Sequence, residues 1–138
     1  IGLNGSTFNS EGLAYQVFNF EYTLADGCAS DSIIAQVNVS RPSSAGEDGT
    51  ITVCRNEPVD LLAGLNGNID LGGMWYNPSN VLMPSSEITA PNIPGQYNYD
   101  YISGNGICPN DTANVLLNVD ANCNFNSLEE TIFSSISL

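Results

Sequence analysis

The chain has 138 residues, with 15 acidic side chains against two basic ones and no histidine, for a net charge of −13 and a pI near 4.1. With only Arg41 and Arg55 to meet phosphates, nucleic acid and anionic membrane surfaces are excluded as partners. The absence of histidine and lysine removes imidazole bases, Ser-His-Asp arrangements, histidine metal ligands, Schiff bases and P-loop chemistry, and with them most enzyme classes.

In chain order, the first stretch opens on Ile1 without a signal-peptide pattern, so the chain reads as a processed or excised piece. "VFNFEYTL" (17–24) sets Phe18, Phe20 and Tyr22 on one face with Asn19 and Glu21 opposite. After a turn at Asp26-Gly27, "IIAQVNVS" (33–40) follows. Aromatic and β-branched residues at a period of two predict half-buried strands. "SRPSSAGEDG" (40–49), rich in Ser, Pro and Gly, reads as a linker. "TITVC" (50–54) and "GGMWY" (72–76) come next, punctuated by turns at Asn66-Gly67 and Gly72-Gly73. "QYNYDYIS" (96–103) sets Tyr97, Tyr99 and Tyr101 against Asn98 and Asp100, and "ANVLLNVD" (113–120) follows a turn at Asn105-Gly106. Only "SLEETIF" (127–133) has a helical rhythm, and for a single turn. No apolar run approaches the ~18 residues of a membrane span, so no membrane insertion is expected. The fold class is all-β.

Two stretches repeat. Cys28 falls on Cys108, Asp31 on Asp111, Val37 on Leu117 and Val39 on Val119, all at an offset of 80. One inserted residue upstream sets Phe18, Phe20 and Tyr22 over Tyr97, Tyr99 and Tyr101. The second copy has a full upstream half and the first has little. Residues 1–41 are therefore expected to be the C-terminal part of a preceding repeat, 42–121 a complete domain, and 122–138 an exit segment.

Within 42–121, Cys54 on an early strand, Trp75 mid-domain and Cys108 near the late aromatic strand suggest an immunoglobulin-like β-sandwich, in tandem with a truncated first copy. Roughly seven short strands agree with that. Cys108 departs from the pattern, lying past the strand near its turn. Four cysteines suggest an oxidising, extracytoplasmic setting and allow three pairings. Cys54–Cys108 is favoured, since both belong to the complete domain and bracket Trp75. By the logic of the repeat, Cys28 would then pair with a cysteine in the missing half of its own domain, Cys123 has no counterpart within the repeat, and Cys28–Cys123 is the other arrangement considered.

"TVCRNEPVDLLAGL", "GGMWYNPSN" and "PGQYNYDYISGNGICPNDTANVLLNV" together resemble the immunoglobulin-like repeats of Bacteroidota cell-surface and adhesin-like proteins. The matching positions are Cys54, Pro58, Leu61, Gly73, Trp75, Pro94, Gly95, Tyr97, Tyr99, Cys108, Asp111 and Thr112, with Met74 inserted between Gly73 and Trp75. "CNFNSLEETIFSSISL" resembles the run into a type IX secretion C-terminal sorting domain, whose Tyr-Pro-Asn-Pro signature would follow Leu138. The resemblance implies a protein at the extracellular or outer-membrane surface, with the type IX secretion machinery as a partner through that downstream domain.

Several residues stand out as candidate sites. Asp31-Ser32-Ile33 and Asp111-Thr112-Ala113 resemble the O-glycosylation acceptors of the same bacteria, which makes Ser32 and Thr112 candidate glycan carriers; the alternative is an Asx turn at each aspartate. Asn66, Asn68 and Asp70 alternate like calcium-loop ligands, but Asn77 stands where the bidentate Glu belongs and Gly72 is one residue late. Calcium between domains, on Glu47 and Asp48 with Asp26, is a second such reading; otherwise no cofactor or metal is expected. Tyr97, Tyr99 and Tyr101 are assigned to the core by their alternation, and Trp75 with them, against a sugar-stacking face. The expected function is a non-catalytic spacer or adhesin-like repeat, not an enzyme, with surface glycans or other cell-surface proteins as possible contacts. A carbohydrate-binding module, or the accessory domain of a secreted enzyme, is the alternative.

Overall fold

A computed structural model describes residues 2–123. These residues form two compact units: the first is the chain up to Pro42 together with Asn105–Pro109, the second Ser43–Gly104 with the residues from Asn110 onward. Strands and turns make up nearly all of both, an all-β fold with open sheets. The exit segment beyond Cys123, its helical turn and the approach to a sorting domain lie outside the described residues.

The first unit holds two hairpins. β1 (Gly2–Asn4) pairs with β2 (Thr7–Asn9), and β3 (Val17–Ala25) with β4 (Ser30–Asn38), both antiparallel. The β3–β4 turn is set by Asp26, whose Oδ1 accepts the N–H groups of Cys28 (3.1 Å) and Ala29 (3.2 Å), while Gly27 takes φ 86°. Phe8 packs its ring against Phe18 and Phe20, centroids 5.7 and 5.2 Å away. The rest of that face is open: Tyr22, Leu24 and Ile33 are all exposed.

The second unit begins with β5 (Gly49–Cys54), β6 (Pro58–Asp60) and a single 3-10 turn, Leu61–Gly64, capped by Asp60 Oδ1 on the Leu62 N–H. β7 (Met74–Tyr76), β8 (Leu82–Met83), β9 (Glu87–Thr89), β10 (Gly95–Ser103) and β11 (Asp111–Asp120) follow. Five strands make one sheet in the order β5-β11-β10-β7-β8, and β6 pairs with β9 in a second. Every pairing is antiparallel except β11 with β5. Alternation along β10 and β11 sends Tyr99, Tyr101, Ala113, Val115, Leu117 and Val119 inward, where they meet Trp75, Leu61 and, from the small sheet, Val59 and Ile88. Gly64 lines this core because a Cβ there would stand 2.7 Å from Ile51 and Val115.

The disulfide corrects an expectation. Cys54 is bonded to Cys123, with Cα atoms 5.7 Å apart, and Cys108 is a free thiol, as is Cys28. The reason is strand direction. β5 runs parallel to β11, so both finish at the same end, with Cys54 opposite Asp120. Cys108 precedes the start of β11, ~30 Å away along a nine-step strand at ~3.3 Å per residue.

Candidate functional site

The β5–β11 ladder is where the second unit receives and releases the chain. Six residues of β5 pair from Gly49↔Val115 to Cys54↔Asp120. At its first end, side chains fix the incoming segment. Asp48 Oδ1 accepts the Asn114 N–H at 2.8 Å, and Asp111 Oδ2 accepts the N–H of fully buried Ala45 at 2.8 Å. Glu47 and Asn66 exchange backbone hydrogen bonds of 2.8 and 3.1 Å. At the far end the Cys54–Cys123 bridge closes the ladder, with Cys123 Sγ 3.9 Å from the Asp120 carbonyl oxygen.

The candidate glycan carriers Ser32 and Thr112 are both exposed, on β4 and β11 respectively. Asp111 is not a free acceptor of turn amides alone: Oδ1 takes the Thr112 N–H at 3.0 Å while Oδ2 holds Ala45. The calcium-like run is committed elsewhere. Asp70 Oδ2 accepts the Ser44 N–H (2.9 Å), the Asn68 carbonyl accepts the Ser44 hydroxyl (2.6 Å), and Asn66 Nδ2 donates to the Asp48 carbonyl (3.3 Å). Those contacts splice residues 44–48 onto 66–70. Asp26 is occupied by its own turn, which holds its carboxyl below the ordinary carboxylate value through the Cys28 N–H first and the Ala29 N–H second.

Of the aromatic residues assigned to the core, Trp75, Tyr99 and Tyr101 are buried and Tyr97 is half-buried. Trp75 and Tyr101 lie 4.9 Å apart between centroids. The Tyr101 hydroxyl donates to the Asp70 carbonyl (2.7 Å) and accepts the Gly73 N–H (2.9 Å), so its polar end is satisfied inside. Tyr97 donates to the Ile93 carbonyl four residues upstream at 2.8 Å. Burial, with a smaller contribution from Tyr97, raises the Tyr99 hydroxyl above its ordinary pKa. The pocket beside Trp75 and Tyr101 holds about 210 Å³, below the ~300 Å³ at which ligand sites usually begin.

Two contacts escaped the sequence reading. One is Cys123 as the partner of Cys54. The other is Cys108, whose Sγ lies 3.9 Å from the carbonyl oxygens of both Ser40 and Arg41, within the first unit. The turn bearing it is built like that of Cys28: Asn105 Oδ1 accepts the N–H groups of Ile107 (3.0 Å) and Cys108 (2.9 Å), and Asn105 Nδ2 donates to the Arg41 carbonyl (2.7 Å). The 80-residue offset was the available signal for relating the two turns.

No protein-family model, curated protein or solved structure matches this chain.

Proposed function

We propose that the chain is part of a non-catalytic spacer, built of immunoglobulin-like β-sandwich repeats, in an extracellular adhesin-like protein exported by type IX secretion. The observation that carries this reading is the parallel pairing of β5 with β11, closed by Cys54–Cys123. Without the bridge, tension applied at the two ends of the second unit would load that ladder along its length, so its hydrogen bonds would share the force instead of opening one by one. The bridge goes further. It gives a covalent route from the incoming segment through β5 and the two sulfurs to Cys123, leaving the residues between Cys54 and Cys123 outside the path of force.

Other features support the same reading. A second sheet packed on the first, and a Tyr97 hydroxyl bonded to backbone just upstream, are traits of immunoglobulin-like sandwiches. The β3–β4 and β10–β11 hairpins share one register, Phe18↔Val37, Phe20↔Ala35 and Tyr22↔Ile33 against Tyr97↔Leu117, Tyr99↔Val115 and Tyr101↔Ala113, as copies of one repeat would. The carbohydrate-module reading is disfavoured in the second unit because Trp75, Tyr99 and Tyr101 present no open stacking face. Glycans on Ser32 and Thr112, and contacts with surface glycans or proteins, belong to the same proposal.

Single-molecule stretching between the termini tests it. With the bridge intact the second unit adds no unfolding length. After reduction it should yield about 240 Å, from a separation of 69 residues at ~3.5 Å each. A unit that extends fully under oxidising conditions would overturn the mechanical role.

A further inference from the structure

Two sulfurs lie near carbonyl oxygens that correspond at the repeat offset, Cys108 Sγ being equally close to the next carbonyl, that of Arg41. Cys123 Sγ lies 3.9 Å from the Asp120 carbonyl oxygen, and Cys108 Sγ lies 3.9 Å from the Ser40 carbonyl oxygen. Ser40 and Asp120 correspond at the 80-residue offset of the repeat. In the second unit the sulfur at this place is bonded to the cysteine that ends β5. In the first unit it is a free thiol. The position corresponding to Cys123 itself is Ser43, whose hydroxyl makes no hydrogen bond, so the residue that could supply sulfur there is Cys108.

The backbone beside it is unfinished in the same sense. β11 lies between β10 and β5, whereas among the described residues β4 pairs with β3 alone and has its other edge open. Transferred by the offset, the β5–β11 register would set a strand of β5 type along residues 35–40, ending with its cysteine opposite Ser40. Its inward residues, matching Ile51 and Val53, would fall on the face of β3 and β4 where Tyr22 and Ile33 are exposed. Main-chain hydrogen bonds to an open edge, with alternate side chains buried, are how an added strand is held.

We infer that the open edge of β4 is the seat of a parallel strand of β5 type, ending in cysteine, and that Cys108 forms a disulfide with that terminal cysteine. The inference rests on the tandem-repeat reading above, and its occupant is the first strand of the preceding repeat. One S–S bond forms; the two electrons and two protons lost by the thiols pass to a disulfide oxidant, which leaves as two thiols. Each repeat is thereby stapled to the hairpin turn that follows it, and Cys123 takes over that role for the second unit.

The test uses the whole chain carrying Cys28→Ser, so that Cys108 is its free thiol. The probe is an acetylated, amidated peptide of sequence Asp-Gly-Thr-Ile-Thr-Val-Cys, its cysteine activated as a thiopyridyl mixed disulfide. Attack by the Cys108 thiolate releases thiopyridine thiolate, which is followed by absorbance. The matched peptide should react about ten-fold faster or more than a scrambled peptide with the same terminal cysteine, because docking raises its local concentration. The adduct should also protect the amides of residues 35–39 from hydrogen exchange. Equal rates, or an adduct without protection, would overturn the inference. So would the same sequence preference at Cys28 in a Cys108→Ser chain. Disulfide mapping of the natively purified protein separates the two proposals: upstream repeats with a free Cys108 overturn the bridge alone, whereas a native protein without such repeats overturns both.

Discussion

The β3–β4 and β10–β11 hairpins have the same register and the same alternation, and opposite surroundings. Tyr101 is 2% exposed, while Tyr22, its counterpart, is 65% exposed. The difference lies in what covers each hairpin. β10 and β11 are flanked by β7 and β5 and faced by the small β6–β9 sheet, while among the described residues β3 and β4 have a single ring, Phe8, packed against Phe18 and Phe20. A period of two selects a face; burial needs a second layer to lie on it.

The largest expected effect sharpens that contrast directly. Tyr101→Ala removes a buried ring against Trp75 and strands the Asp70 carbonyl and Gly73 N–H, and should cost the second unit about 5 kcal/mol. Tyr22→Ala should change stability by about 0.5 kcal/mol or less. Urea denaturation followed by Trp75 fluorescence reads the first, and hydrogen exchange along β3 the second. Equal costs would break the comparison.

Next comes the bridge. Cys123→Ala, or reduction, should destabilise the second unit by about 4 kcal/mol through the lost constraint on the unfolded chain. Cys108→Ala should leave the same unfolding midpoint within about 0.5 kcal/mol. Asp111→Ala should cost about 2 kcal/mol, because the Ala45 N–H it satisfies is fully buried. The corresponding Asp31→Ala, at an exposed position, should be close to neutral, and urea denaturation of each variant reads the difference.

The smallest effect is one of pH. The Asp26 carboxyl is lowered below 3.8 by its turn hydrogen bonds, so its contribution to the β3–β4 turn is complete above that value. It is lost as the pH falls through the lower, folded-state pKa. An NMR titration of Asp26 should show the depressed midpoint, together with loss of Ala29 amide protection across the same range. A midpoint at the ordinary value would remove the turn's role.

Much of this was legible beforehand, for identifiable reasons. Alternating Phe18, Phe20 and Tyr22, and Tyr97, Tyr99 and Tyr101, mark strands because side chains alternate sides at every step. Asp26-Gly27 and Asn105-Gly106 mark turns because short polar side chains bond nearby amides and glycine accepts positive φ. The place of Cys54 was not legible. Its partner depends on β5 running parallel to β11, a long-range choice with no local signature, and spacing about Trp75 pointed to Cys108 instead. Asp70 and Asn66 looked like metal ligands for a similar reason: alternating oxygens are equally suited to splicing one loop onto another.

The amino-acid sequence alone determined the all-β class, the long alternating strands with their two faces, the turns at Asp26-Gly27 and Asn105-Gly106 and the likeness of two stretches 80 residues apart, because each of these follows from neighbours within a few residues or from comparing one stretch with another. Tertiary structure alone decided which inward face is buried, which cysteines meet and which carboxylates hold the incoming chain. Those outcomes depend on the order and direction of strands far apart in sequence, and a residue carries no local record of what will be packed against it.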